Sequence, residues 1–494
     1  MLAVSTRMLY IHSTPPESPI GSTDAWGYHR LALNLDRGNG FSLRRQAPFV
    51  PDSVRTPLYP FSLLLIRRAL NPYPRTVVTV QALLDGMTTL CTFALAAQTA
   101  TTLGWAPTPS HRSGYLAALL YALNPTQIRL VNELLTETLL SFLIACSLLV
   151  LLQSMRLVAH HPSATSGIGP PMLSLSLGLL AGACVLCKPN VQFLPLIWLA
   201  CLMLRRAQNG IEHDRRQAGR REKPAAQRTF GWSSLHWRHA GLAAGAYLAV
   251  LAPWIIRNTL VFGRPFLSTA FEGNVSRVSA PATLLTIRDE HAIPWSAEWE
   301  EAFGQIVAET AERFAWNRPW ESLSARELDT ANRQVYWIAR TILRQHPTAW
   351  AKSHALGTLR HMEPGIYRVL HIRLTSRPWP PGILEDAVIH CAREIIHREW
   401  DAATRIIGQE RWSKLTSLQR GLWWGMLLAQ TIGLAMMLRG AWVLRAHRMV
   451  ALGFLGTVSY VLVLPGPIAY ERFRAPVTSL IAVLISVATY TRTA

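Results

Sequence analysis

Two runs limit what this chain can become. Residues 76–100, TVVTVQALLDGMTTLCTFALAAQTA, and 134–152, LLTETLLSFLIACSLLVLL, are each about as long as the roughly 20 apolar residues that a bilayer crossing needs. In hydrocarbon the backbone has no water to bond, so such runs cross as helices. Similar stretches near 113–131, 171–187, 189–204, 239–257, 421–438, 447–465 and 476–492 bring the expected spans to about nine. The mean hydropathy is only +0.17, too low for a bare bundle, so a large polar part must lie outside the membrane. Residues 258–420, rich in Arg, Glu, His and Trp and without a span-length apolar run, are that part. The expected fold class is an all-α membrane protein: a multi-helix bundle carrying a mainly helical extramembrane domain.

The formal net charge is +20. No nucleic-acid motif accompanies it, and the basic residues are not interleaved with aromatics on one face. Two membrane explanations compete instead: basic loops that set topology and cationic clefts that attract anionic headgroups. Residues 205–238 carry nine Lys/Arg against three acids, which makes this loop cytoplasmic by the positive-inside rule. The segment RGAWVLRAHR (439–448) falls on the same side. The predicted division is a non-spanning segment 1–23, a first outer loop 24–75, a bundle 76–257, an extracytoplasmic domain 258–420 and C-terminal spans 421–494. Residues 1–23 hold three prolines and no apolar run able to cross a bilayer. The reading is that a first helix is missing, through a misplaced start or a true shortening. Of six cysteines only Cys391 falls in the outer domain, so no disulfide framework is implied. Cys184-x-x-Cys187, in an apolar helix, reads as packing.

With this topology a set of charges meets at the outer surface: Asp24 with Tyr28 four positions on, Arg55 in RTPLYPF, Glu133, Glu137, Lys188 before Pro189, Arg257 in APWIIRN, and Arg472 with Arg474 in AYERFRAP. Glu133 and Glu137 are expected to share one helical face. Singly, the arginines also fit snorkelling cations, and Glu137 fits a helix start or a partner of Lys188. Asp85, in mid-span, reads as a polar contact with Gln81 or a neighbouring helix rather than a proton relay. Together, several cations suit a phosphate, and a carboxylate opposite them suits removal of a proton from an incoming hydroxyl or amine.

Five blocks in order carry a resemblance: DAWGYHRLALNLDRGNGFS…VRTPLYPFSLLLI, LYALNPTQIRLVNELLTETLLSFLIACSLLVLL, GLLAGACVLCKPNVQFLPL, LAPWIIRN and YERFRAPV. They resemble bacterial family-39-type glycosyltransferases from about Asp24 to the C-terminus, weakly within 275–420. The resemblance implies a GT-C fold and a sugar donor linked to polyprenyl or dolichyl phosphate. It makes Asp24 the expected catalytic base, Arg55 a contact to the donor phosphate, Arg474 or Arg472 the final-helix arginine, and Lys188 the basic residue before proline. It also implies a multi-pass protein of the bacterial inner membrane whose site faces the periplasm. Where many members carry a second acid directly after the first, this chain has Ala25, which puts any acceptor or metal role of that pair in question. The acceptor (lipid, glycan or protein) and any divalent ion are left open. His361 and Glu363 read as structural. The rival readings are a transporter or flippase for a lipid-linked or anionic solute, for which no internal repeat is evident, and a truncated non-catalytic homologue.

Overall fold

The computed structural model describes residues 1–15, 18–70, 73–160, 169–203, 234–290, 294–316, 318–362, 416–469 and 471–490. Among them there is no strand, only an isolated bridge between Ser42 and Pro51. The order opens with α1 (Leu2–His12), α2 (Thr23–Asp36), α3 (Leu58–Ala69), α4 (Arg75–Thr102), α5 (Pro107–Ala122), α6 (Pro125–Leu130), α7 (Glu137–His160) and α8 (Gly169–Cys187). It continues with α9 (Pro189–Met203), α10 (Ser234–Phe262), α11 (Ala270–Asn274), α12 (Ala280–Ile287), α13 (Ala297–Arg313), α14 (Ala325–Gln345), α15 (Pro347–Thr358), α16 (Ser417–Leu444) and α17 (Arg448–Val463). The last is α18 (Glu471–Tyr490).

Among the described residues five helices are long and apolar enough to cross a membrane: α4, Glu137–Arg156 of α7, Arg238–Phe262 of α10, α16 and α18. At 1.5 Å per residue, 20 residues reach about 30 Å, the thickness of the hydrocarbon core. Shorter apolar helices cover 171–187, 189–203 and 448–463. The protein is thus an all-α, multi-pass membrane protein. The expected span 113–131 is corrected. Asn124 caps α6 by accepting from the Gln127 amide, and Pro125 occupies the first turn. A residue before proline is driven out of helical geometry, so α5 stops at Ala122. Most of the basic loop 205–238, together with Glu363 and Cys391, lies outside the described residues.

The bundle core joins Leu95 of α4, Tyr121 of α5, Leu148 of α7, Trp198 of α9, Phe454 of α17 and Leu480 of α18. Lipid tails are as apolar as leucine, so close backbone packing replaces the hydrophobic drive. Gly178 of α8 and Gly440 of α16 provide it, since a Cβ at either would overlap the backbone of Ala243 or Leu484. The segment 1–23, to which the sequence assigns no helix, contributes α1. Its Arg7 is fully buried, with Nε 2.6 Å from Asp85 of α4, while the Tyr121 hydroxyl donates to the same carboxylate at 2.6 Å. Asp85 is therefore satisfied by neighbouring helices. Gln81 instead accepts from the Tyr59 hydroxyl at 2.7 Å and donates to the carbonyls of Val131 and Glu133.

Beyond α10 the chain leaves the bundle. Arg264 grips Asp329 of α14 through two bonds of 2.8 Å. The helices α12 to α14 close over Trp299, Ile306, Val335 and Ile338. Ser324 and Glu327 form a reciprocal cap on α14. Helices α14 and α15 are divided at His346–Pro347. The predicted free cysteine packing at 184 and 187 agrees with their burial and unpaired state.

Candidate functional site

The stretch that carries Asp24 and Arg55 is ordered by α2 and α3. Ser22 caps α2 by accepting from the Ala25 amide at 3.2 Å, which places Asp24 in the first turn. There the positive end of the helix dipole favours a carboxylate. Residues 42–44 are tied to α2 by Asn34, whose amide donates to the carbonyls of Ser42 and Arg44. Asp52 closes the loop: its amide donates to Phe41 at 2.7 Å, and its carboxylate accepts from the Arg55 amide at 2.8 Å. Burial pushes the Asp52 carboxyl up and the Arg55 charge opposes this. Arg55 then lies across α2 beside Gly27. A Cβ on that glycine would sit 2.6 Å from the Arg55 Nη2, so only glycine leaves room for the guanidinium.

Asp24 is the accessible centre of the cluster, with 45% of its side chain exposed. Its Oδ2 accepts from Arg472 at 2.6 Å and its Oδ1 from Arg55 at 3.5 Å. Arg472 also donates through Nε to Glu137 at 2.6 Å, and Lys188 Nζ reaches the same Glu137 oxygen at 3.0 Å. Glu137 is 1% exposed. It is a buried anion between two cations, which gives both of them fixed positions. Lys188 is aimed by Pro189, which holds it extended (φ −147°, ψ 111°) and ends α8. One chain of ion pairs therefore runs Arg55, Asp24, Arg472, Glu137, Lys188. Tyr28 lies beneath, with Arg55 over its ring at 5.3 Å and Tyr59 edge-on at 5.1 Å. Desolvation, then the Asp24 charge, holds its phenol well above the usual value, so it stays protonated.

Other expected residues stand apart from this chain. Glu133 does not share a helix with Glu137. It sits in the turn before α7 and pairs with Arg129, which also reaches Glu471 at 3.4 Å. Burial raises the Glu133 carboxyl and Arg129 opposes that. Arg472, not Arg474, meets Asp24. Two residues apart on a helical turn point in nearly opposite directions, and Arg474 donates to the His361 carbonyl at 2.7 Å. Arg257 bonds the Asp52 carbonyl at 3.2 Å and Asn258 at 2.7 Å, with Trp254 under its guanidinium at 4.7 Å; it braces the loop from below. Among the described residues no three His, Cys, Asp or Glu side chains gather as a metal site. Gly27, Asp52, Arg129 and Glu471 were missed in the sequence. Only Asp52 left a signal there, an acid three residues before Arg55 able to form an Asx-type turn.

A half-exposed carboxylate flanked by cations can take a proton from a neutral nucleophile while the cations attract an anion beside it. No family model matches the sequence, and no curated protein matches it. Among solved structures it is similar to the archaeal oligosaccharyltransferase AglB from Archaeoglobus fulgidus in complex with an inhibitory peptide and a dolichol-phosphate. The identity is 13%, over 99% of this chain and 49% of that one, with a TM-score of 0.47. The apo form of the Archaeoglobus fulgidus oligosaccharyltransferase gives 15% identity over the same shares and a TM-score of 0.48. ArnT from Cupriavidus metallidurans in the apo state gives 12%, over 99% of this chain and 76% of that one, with a TM-score of 0.36. The chain spans about half the length of the archaeal oligosaccharyltransferases it matches.

Proposed function

We propose that this protein is an inverting glycosyltransferase that moves a sugar from a polyprenyl-phosphate carrier to an acceptor on the extracytoplasmic side of the bacterial inner membrane. The observation that carries the reading is the single chain of ion pairs from Arg55 to Lys188 around a half-exposed Asp24. The five sequence blocks that resemble family-39-type glycosyltransferases support it. In this reaction Asp24 removes the proton of the acceptor hydroxyl or amine. The freed lone pair attacks the anomeric carbon from the face opposite the leaving group. The bond from that carbon to the phosphate oxygen breaks, and polyprenyl phosphate departs with the electron pair. Its phosphate is already a good anion, so no general acid is required.

Arg55, Arg472 and Lys188 bind that phosphate and stabilise its growing charge; a preorganised donor of this type supplies ~3–4 kcal/mol. Glu137 holds two of the three in place. The sequence-based candidate Arg474 shares the helical turn of Arg472 and holds the His361 carbonyl. Asp24→Asn keeps the shape of the side chain and removes the base. In membranes supplied with a radiolabelled polyprenyl-phosphate sugar, this variant is expected to lose at least a hundredfold in transfer. Wild-type turnover by it would remove Asp24 from the mechanism.

A further inference from the structure

The face of α2 opposite Asp24 has a different character. Trp26, Arg30 and Arg37 recur at i, i+4 and i+11, which is one helical face, whereas Asp24 precedes Trp26 by two residues and points away from it. The Arg30 guanidinium lies 5.1 Å from the Trp26 ring centroid, and that of Arg45, from the following loop, 5.2 Å. Arg30, Arg37 and Arg45 form no ion pair among the described residues. Asp36, the acid within this stretch, is taken by Arg67 at 3.0 Å and Arg68 at 2.9 Å. The Arg30 Nε is buried without a hydrogen-bond partner. Burial and then the charges of Arg45 and Arg37 lower the Arg30 pKa, as expected of cations crowded without an anion.

Around Asp24 the cations of the ion-pair chain are matched, whereas Arg257 and Arg44 bond backbone carbonyls. Arg55, Lys188, Arg472 and Arg129 are all paired with buried or half-buried carboxylates. Trp26 thus carries two guanidiniums that have no carboxylate partner among the described residues. Its depth is marked by α3, which packs against α2. That helix exposes Phe61 and Leu65 one turn apart and ends on Arg67 and Arg68. Exposed apolar side chains on a helix that closes on cations are the pattern of a segment lying at the bilayer interface. Tryptophan favours the same level.

We propose that Trp26, Arg30 and Arg45, with Arg37 at the edge, form a binding site for the phosphate of an anionic phospholipid headgroup at the membrane rim. The indole supplies a flat seat for the two guanidiniums, and their outward N–H groups fork onto phosphate oxygens. The site is separate from the Asp24 cluster and does not depend on the reaction assigned to it. The lipid there would hold α2 at a fixed height in the bilayer.

The test places a benzophenone amino acid at exposed Gln46, next to Arg45, in the full-length protein. The protein is reconstituted in nanodiscs of phosphatidylcholine with or without phosphatidylglycerol, and lipid adducts are read by mass spectrometry after irradiation. Phosphatidylglycerol is expected to be captured at least fivefold above its share of the lipid. Arg30→Gln with Arg45→Gln should abolish the preference, whereas Arg30→Lys with Arg45→Lys, which keeps the charge, should retain part of it. Capture in proportion to composition would overturn the proposal, as would an undiminished preference in the glutamine variant. Loss of the adduct on adding millimolar inorganic phosphate would overturn the assignment to lipid in favour of a soluble phosphate.

Discussion

At the scale of single residues, the site depends on positions that no motif marks. Gly27 is the clearest case, because the Arg55 guanidinium occupies the volume where its Cβ would be. Gly27→Ala is therefore expected to displace Arg55 from Asp24 and reduce sugar transfer at least tenfold. Alanine also favours helix over glycine by about 1 kcal/mol, so the melting temperature should hold or rise. A variant that keeps full activity would show that the position of Arg55 is not used. His29 offers a pH test. Its ring stacks on Tyr73, with Nδ1 2.9 Å from the Tyr73 hydroxyl. Burial, then Arg30, Arg67 and Arg37, lower its pKa to about 4. The unfolded chain protonates this ring below about pH 6.5 while the folded protein does not. Stability present above pH 6.5 is therefore lost as the pH falls toward 4. For a ring this exposed, screening reduces the loss to about 1–2 kcal/mol. Melting of the purified protein at pH 7 and pH 5 checks it, and His29→Gln should flatten the difference.

At the scale of elements, the decisive contact joins α1 to the bundle. Arg7 and Asp85 are both fully buried, and removing one partner of such a pair leaves a stranded charge, which costs about 3–5 kcal/mol. Arg7→Met is expected to lower the melting temperature sharply and expose α1 to protease, and adding Asp85→Asn should restore most of the loss. Equal stability of the single and double variants would rule out the pair as the fastening. The spans α4, α7, α10, α16 and α18 were legible because twenty apolar residues in a row have one low-energy state in lipid. The break at Asn124–Pro125 was also written in the sequence, as a cap followed by proline, but the apolar residues around it hid it. Helix α1 was not legible. Eleven residues are too few for a span signal, and its partner Asp85 is 78 positions away.

At the scale of the whole molecule, the expected topology puts the Asp24 cluster and the domain beginning at 258 on one side of the membrane and the loop 205–238 on the other. In a cysteine-free background, Gln305→Cys is expected to react with an impermeant maleimide in intact cells, and Gln217→Cys only after permeabilisation. Reversed labelling would place the cluster in the cytoplasm, where the proposed donor and acceptor geometry fails. Composition and apolar run length alone determined that this chain is a helical membrane protein with a polar domain, because the cost of unbonded backbone in lipid leaves no other class. They also determined that acid and base residues gather near the ends of particular helices. The Glu137–Lys188 pair was among the readings of the sequence; which cations meet Asp24 was decided only by tertiary structure. Asp24 and Arg472 are 448 positions apart, and the choice of Arg472 over Arg474 turns on a rotation of two residues along one helix. Hydrophobic patterns specify which face is buried, but a 2.6 Å contact depends on how distant helices come to rest against each other.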